Sequence, residues 1–270
     1  MATLQNQGTL RFTPVGGVQQ AAVSNITTTE LEITYGLEVI HGASPTNYTN
    51  GDTVTYTVIL RNTGNGALVL PTVTVDLADG ALDYVEGSAA AFLYVNGAAT
   101  PYPFAVSEGS VVFSFTDPIP AGGAVILTYR ATVTAAAGDS ITSTATATAA
   151  EGVATGPVIT DSDSVTITRI PITIVKSAPA SAGVGDTISY RFTITNNTDS
   201  AVSLDSLTDQ LPQQFSLTGV TLTVGGNVIP LTEGSDYTLV NGLLTVDPAS
   251  SFSLPAAETV ILTVTGVVTA

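Results

Sequence analysis

The chain has 270 residues, 44% of them hydrophobic and only 10% charged, and it contains no cysteine. That length can bury more than one core, with about two domains as the length prior, and disulfides are excluded as the staple. Twenty-two acidic residues against 6 basic ones give a net charge of −16, which repels nucleic acid and anionic membrane surfaces because both need clusters of Lys or Arg. No apolar run reaches the length of a membrane span. Thr, Val, Ile and Tyr fall in short alternating blocks among 25 Gly and 14 Pro without helical periodicity, so the expected fold is all-β.

At the N-terminus, Leu4, Leu10 and Phe12 alternate with Gln5, Gln7, Thr9 and Arg11, the pattern of a half-buried strand. Pro14-Val15-Gly16-Gly17 reads as a turn. Val18 to Leu31, rich in Val, Ile and Thr, reads as a second strand. A lone two-stranded hairpin is marginal in water, so this one needs a sheet to join. Met1 to Asn6 has neither the basic start nor the apolar core of a secretory signal.

The rest of the chain repeats itself. Gly51-Asp52-Thr53-Val54-Thr55-Tyr56 matches Gly185-Asp186-Thr187-Ile188-Ser189-Tyr190, an offset of 186 − 52 = 134. Asn62-Thr63 then faces Asn196-Asn197 at the same offset, and Val125-Ile126-Leu127-Thr128 answers Val260-Ile261-Leu262-Thr263, where 260 − 125 = 135. The first copy goes on through two further strand-like blocks, Ile141 to Ala147 and Asp163 to Thr168, for which the second copy has no counterpart. The N-terminal hairpin has their pattern. Leu4, Asn6, Gly8 and Leu10 share the phase of Ile141, Ser143, Ala145 and Ala147, and Ser24-Asn25-Ile26-Thr27 corresponds to Asp163-Ser164-Val165-Thr166.

The opening strand Ile172-Thr173-Ile174-Val175-Lys176, the Gly-Asp-Thr-[Val/Ile]-x-Tyr entry, Asn62-Thr63-Gly64 and the Pro-Ala-Gly-Gly before Val125 resemble the eleventh family in the series of "domains of unknown function". That family occurs as tandem repeats in prokaryotic surface proteins. The resemblance covers nearly the whole chain. It implies two tandem immunoglobulin-like β-sandwich domains used as structural modules, with no reaction. In related surface modules a first-strand Lys can form an amide crosslink with a last-strand Asn, helped by a nearby acid. Here that role falls to Lys176, the sole lysine, with Asn6 or Asn25 supplied by the donated strands. The first copy has His41 at the lysine position and Ser143 at the position of Asn6, so it cannot make the bond.

Other chemistry is sparse. His41, the only histidine, has no nucleophile elbow near it in sequence and reads as an exposed residue at a strand end. No histidine pair or cysteine is present for zinc. Acids cluster at Asp76, Asp79 and Asp83, at Asp161 and Asp163, and at Asp205 and Asp209; oxygen-rich turns can bind calcium, but none of these follows the twelve-residue loop pattern, so they read as solvated turn carboxylates and no cofactor is expected. Asp52 and Asp186, each following Gly at a strand entry, read as turn caps. The sequons at Asn25, Asn47 and Asn196 permit glycosylation.

The organisation expected is a donor hairpin and linker over residues 1–36, a complete sandwich over 37–170, and a sandwich over 171–270 that lacks its last two strands. An open edge of that kind invites strand addition. The link from Glu32 to Gly36 extends about 17 Å, whereas passing the first sandwich takes about 30 Å, so an end-to-end chain cannot close on itself. The expectation is a non-enzymatic subunit of an extracellular or spore-surface filament that polymerises head-to-tail with itself. Leu4, Asn6, Gly8, Leu10, Phe12, Val23 and Ile26 are its donor-strand contacts. The rival readings are a monomeric surface adhesin or spacer and a carbohydrate-binding module. The second is disfavoured because the chain has no Trp and its 9 Tyr and 8 Phe are scattered along strands that can bury them.

Overall fold

The structure is a computed structural model that describes residues 2–107, 111–134, 138–247 and 252–270. Among the described residues every regular element is a β-strand, as the Val- and Thr-rich alternation demands. No helix there is long and apolar enough to cross a membrane.

In the first unit two six-stranded sheets face each other. One runs from the opening strand Leu37–Ser44 through Thr53–Asn62 and Ala124–Val133 to Ala90–Val95 and Ala98–Pro101, with Leu82–Tyr84 beside Ala124–Val133. The other contains Leu68–Val75 between Val111–Phe115 and a closing hairpin, Ser140–Glu151 with Val158–Arg169. Inward residues follow the period of two: Val54, Tyr56, Val58 and Leu60 on one strand and Ile141, Ala145, Ala147 and Ala149 on the closing hairpin are all buried in one core. The closing hairpin pairs with Leu68–Val75, placing Ala145 opposite Val75 and Ala147 opposite Val73.

The second unit repeats this plan up to a point. Its larger sheet runs Ile172–Ser177, Thr187–Asn196, Thr259–Val268, Phe215–Val224, Asn227–Leu231. Facing it are Leu207–Gln210, Leu243–Val246 and Tyr237–Val240, plus a short pair formed by Val202–Leu204 and Phe252–Leu254. A separate core, including Phe192, Leu211, Phe215, Leu244 and Leu262, lies between them. Register fixes the correspondence residue by residue. His41 pairs with Val58 and Lys176 with Phe192, and the differences, 176 − 41 = 135 and 192 − 58 = 134, are those of the sequence repeat.

The repeated Asn has a structural reason. Asn62 is buried; its Nδ2 donates to the carbonyls of Gly66 (2.8 Å) and Ile119 (2.9 Å), while its Oδ1 accepts from Gly64 N–H (3.0 Å). Asn196 does the same, donating to Ser200 (2.8 Å) and Pro255 (2.9 Å) and accepting from Thr198 N–H (3.0 Å). Each ties a turn to the opposite sheet and satisfies backbone groups that burial would otherwise leave unpaired. Asp52 and Asp186 cap turns, accepting from the N–H groups of Thr49 and Gly183 (both 2.7 Å).

Among the described residues the N-terminal hairpin pairs only within itself: Ala2–Asn6 with Thr27–Leu31, and Thr9–Phe12 with Gln20–Val23. The single second strand expected over Val18 to Leu31 is therefore two strands. Asn6 faces Thr27 and Thr9 faces Val23, while Ser24 N–H donates to Gly8 O (2.8 Å). Asn25 and Ile26 are thus both opposite Gln7, a bulge that adds one residue and breaks the strand.

Candidate assembly surfaces: the projecting hairpin and the open groove

The described side chains from Thr3 to Leu31 are all exposed. Leu4 and Leu10 are 61% and 65% exposed, and Phe12, Val23 and Ile26 are also open to solvent. A hairpin presenting this much apolar surface without a sheet behind it is an incomplete structure.

Its base, by contrast, is held. Thr34 N–H donates to Asn65 Oδ1 (2.8 Å), Asn65 Nδ2 donates to Glu32 O (3.0 Å), and Thr63 N–H donates to Gly36 O (3.0 Å). The Tyr35 ring packs on the first core and lies against Gly66 and Gly152, where a Cβ would collide with it. These contacts sit at the Asn62 end of Thr53–Asn62. The second unit joins at the Thr53 end, where Arg169 pairs with Tyr48, donates to Gly138 O (3.0 Å) and Asn197 O (2.7 Å), and meets Asp199 at 3.2 Å. The hairpin and the second unit therefore leave the first unit at opposite ends of a 10-residue strand, which spans about 33 Å.

The groove lies in the second unit. Next to Leu68–Val75 in the first unit runs the closing hairpin; next to Leu207–Gln210, its counterpart, the edge is bare among the described residues, which pair with it only through Leu243–Val246 on the other side. Behind the bare edge is an apolar hollow of about 200 Å³ lined by Ile172, Ile174, Ile194, Leu204, Leu207 and Leu222 among others. In the first unit the corresponding space is filled by Ile141, Ala145, Ala147, Ala149 and Ile167, none more than 2% exposed. The phase match places Leu4 at the position of Ile141, Asn6 at Ser143, Gly8 at Ala145, Leu10 at Ala147 and Phe12 at Ala149. Thr27, opposite Asn6, takes the place of Val165, which is opposite Ser143. Asn25 and Ile26 fall in the bulge at the outward-facing Ser164 position rather than on the inward row.

Lys176 follows Ile172 and Ile174, which line the hollow, at the next alternate position of the same strand. Its Nζ is 2.6 Å from Asp209 Oδ1 and rests over the rings of Tyr190 and Phe192, 4.8 and 5.0 Å from their centroids. The Asp209 side chain is only 10% exposed, and its Oδ2, buried, has no hydrogen-bond partner among the described residues. Asp209 stands where the first unit has the core residue Val75 (209 − 75 = 134), so an acid replaces an apolar side chain beside the bare edge. Sequence grouping pairs Asp209 with Asp205; the structure pairs it with Lys176. Among the described residues no three His, Asp or Glu side chains gather as a metal site. The carboxylates of Asp161 and Asp163 are instead engaged by the N–H groups of Val39 (2.7 Å) and His41 (2.8 Å).

His41, expected at an exposed strand end, is buried, 5% exposed, because the opening strand continues to Ser44 and turns the ring inward. Its Nε2 is 3.3 Å from Tyr129 Oη and its ring lies 5.6 Å from that of Tyr56. Burial lowers its pKa below 6.5, against smaller opposing contributions from the Ser143 backbone and Asp163. Burial raises Tyr56 to about 12 and Tyr129 higher still, so this cluster is neutral at pH 7. A histidine whose folded pKa is depressed binds fewer protons than in the unfolded chain. Its contribution to stability is then complete above about pH 6.5 and declines as pH falls below it, by at most about 1.4 kcal/mol per pH unit. The thermal transition of the first unit is expected to drop between pH 7 and pH 5 by more in the parent chain than in His41→Phe; equal slopes in calorimetry would contradict this.

No family model matches the chain, and no curated protein sequence matches it. Among solved structures it is similar to the C-terminal domain of the antigen I/II polypeptide BspA of Streptococcus agalactiae, with 10% identity over 86% of this chain and 92% of that one and a TM-score of 0.33. It is similar to domains D2 and D3 of the major pilin SpaD of Corynebacterium diphtheriae, with 10% identity over 83% and 81% and a TM-score of 0.40. It is also similar to the major pilin subunit BcpA of Bacillus cereus, with 10% identity over 97% and 72% and a TM-score of 0.36. At these identities the likeness carries no function across to this chain.

Proposed function

We propose that the chain is a structural subunit that polymerises head-to-tail. Residues 3 to 31 of one copy complete the second sandwich of the next, by the strand addition that pairs an extended segment with an open sheet edge. The observation that carries this reading is a complementary pair of defects. One end of the chain has a hairpin without a sheet and the other has a sheet without its closing hairpin, and the two agree in strand phase. Donor and acceptor are different surfaces, so the contact is heterologous and runs on into a filament unless a ring closes.

The closing hairpin of the first unit also sets the direction. Its tip, between Glu151 and Val158, lies at the end of the unit where Leu37 begins. A donated hairpin in the same orientation puts its tip toward the acceptor's own first unit and its base beyond the acceptor's C-terminal end. The donor's first unit then follows on, as the second unit follows the first within one chain. Self-closure is blocked, because a hairpin anchored at Glu32–Gly36 reaches about 35 Å along its 2–12 strand and uses that length in passing its own first unit.

The role assigned is mechanical and non-enzymatic, in an extracellular or spore-surface fibre built from two copies of the tandem surface module that the repeats resemble. Negative-stain electron microscopy of the purified chain tests it. Filaments whose axial repeat matches two sandwiches are expected; a monodisperse monomer at all concentrations would exclude the proposal and leave a spacer or adhesin.

A further inference from the structure

We infer that donation is followed by a covalent step, an amide bond between Lys176 Nζ of the acceptor and Asn6 Cγ of the incoming hairpin, with Asp209 as the proton relay. This rests on the donated-hairpin reading.

Three observations converge on it. First, the acid and the amine are already paired. Lys176 Nζ and Asp209 Oδ1 are 2.6 Å apart beneath the bare edge, with aromatic rings under the ammonium and one carboxylate oxygen buried without a partner. An ion pair set into a core position, where the first unit has Val75, is costly unless further polar groups complete it. The described residues of the second unit supply none to Asp209 Oδ2.

Second, the register delivers one. In the first unit Ala145 pairs with Val75, and Ser143 is the next inward residue on that strand, within reach of His41 and Tyr129 and donating its Oγ to Asp76 O (2.9 Å). By the same placement Gly8 of the donor lies opposite Asp209, and Asn6 is its diagonal neighbour on the same face, a spacing of about 7–8 Å that long side chains bridge. Lys176 occupies the position of His41. Gly8 brings no Cβ to cover the pair.

Third, the alternative is displaced. Asn25 shares a bulge with Ile26 opposite Gln7, on the outward phase, so Asn6 and not Asn25 is the acyl partner.

The chemistry balances. Docking the hairpin removes the pair from water, which favours amine plus carboxylic acid over two ions, and Lys176 passes one proton to Asp209. The neutral Nζ attacks Asn6 Cγ while the protonated Asp209 hydrogen-bonds the developing oxyanion. The attacking nitrogen then loses one proton, relayed by Asp209 to the departing NH2 group. The Cγ–N bond breaks, ammonia leaves, and Asp209 keeps the proton it took from the ammonium. No oxidant or cofactor is consumed. The first unit has His41, Ser143 and Val75 at the three positions and makes no such bond.

The test uses filaments of the full-length chain heated in detergent and denaturant, followed by denaturing gel electrophoresis and peptide mass spectrometry. The parent chain is expected to give a ladder of covalent multimers and a joined peptide containing Lys176 and Asn6, lighter than the sum of its parts by one ammonia. Asn6→Ala and Lys176→Arg are expected to assemble but run wholly as monomer. Asn25→Ala is expected to keep the ladder, and Asp209→Ala to slow its appearance by about 100-fold or more. Asn6 is exposed in the free chain, so its loss does not perturb monomer folding. Filaments of the parent chain that dissolve entirely to monomer would overturn the crosslink and leave strand donation standing. A ladder surviving Asn6→Ala would overturn the assignment of Asn6. Absence of filaments would overturn both readings together.

Discussion

Deletion of residues 1–31 is expected to abolish filaments and leave a soluble monomer with an open second unit. The first unit should be unaffected, because its closing hairpin is its own and its core draws nothing from residues before Tyr35. Adding the hairpin back in trans, as a peptide of residues 1–31, should restore second-unit stability without restoring filaments. Three inward side chains, Leu4, Leu10 and Phe12, each contribute about 1.5–3 kcal/mol on burial, less the cost of ordering the peptide. Filaments of normal appearance from the deleted chain would refute donation. A second unit whose melting is indifferent to the peptide would do the same.

The second large effect is the converse, closing the groove in the same chain. In the sequence of the first unit six residues, 134–139, separate Val133 from the closing hairpin. Appending a copy of residues 3–31 after Ala270, through a link of that length, should let each chain fill its own second unit. The product is expected to be a monomer that no longer elongates, with the second-unit Tm raised by on the order of 10 °C, the shift that a net gain of about 2 kcal/mol gives in a unit of this size. Size-exclusion chromatography with light scattering and calorimetry reads both quantities. A fused chain that polymerises as readily as the parent, with an unchanged Tm, would show that the groove is not the acceptor.

Much of this architecture is legible in the residues alone, and the reason is periodicity. The alternation along Thr53–Asn62 and Ser140–Ala147 fixes both strand and inward face, and Asn62 and Asn196 mark the same turn because each satisfies backbone groups of the same two loops. The offset also leads one to look beside Leu207–Gln210, which among the described residues pairs on one side only. Less legible are features set by three-dimensional neighbours. His41 looks like a strand-end residue because Gly42, Ala43 and Ser44 resemble a turn; pairing with Thr53–Asn62 carries the strand through them and buries the ring. The bulge at Asn25 and Ile26 depends on which residues face each other across the hairpin, and strand propensity is silent about that. Asp209 is the instructive case. Within its own segment it is one more acid in an acidic chain, and only the offset of 134 shows it in a core position held by Val75. An acid out of place in a repeat is the signal that points to Lys176.

Head-to-tail donation is tested most directly by mixing the two variants that cannot elongate. The chain lacking residues 1–31 has an acceptor groove and no donor; the chain carrying the appended hairpin has a free N-terminal donor and a closed groove. The account predicts that equimolar mixing converts two monomers into one heterodimer of fixed mass, capped at both ends, which becomes covalent through Lys176 of the acceptor and Asn6 of the donor. Two monomers that stay apart at concentrations where the parent chain forms filaments would contradict it.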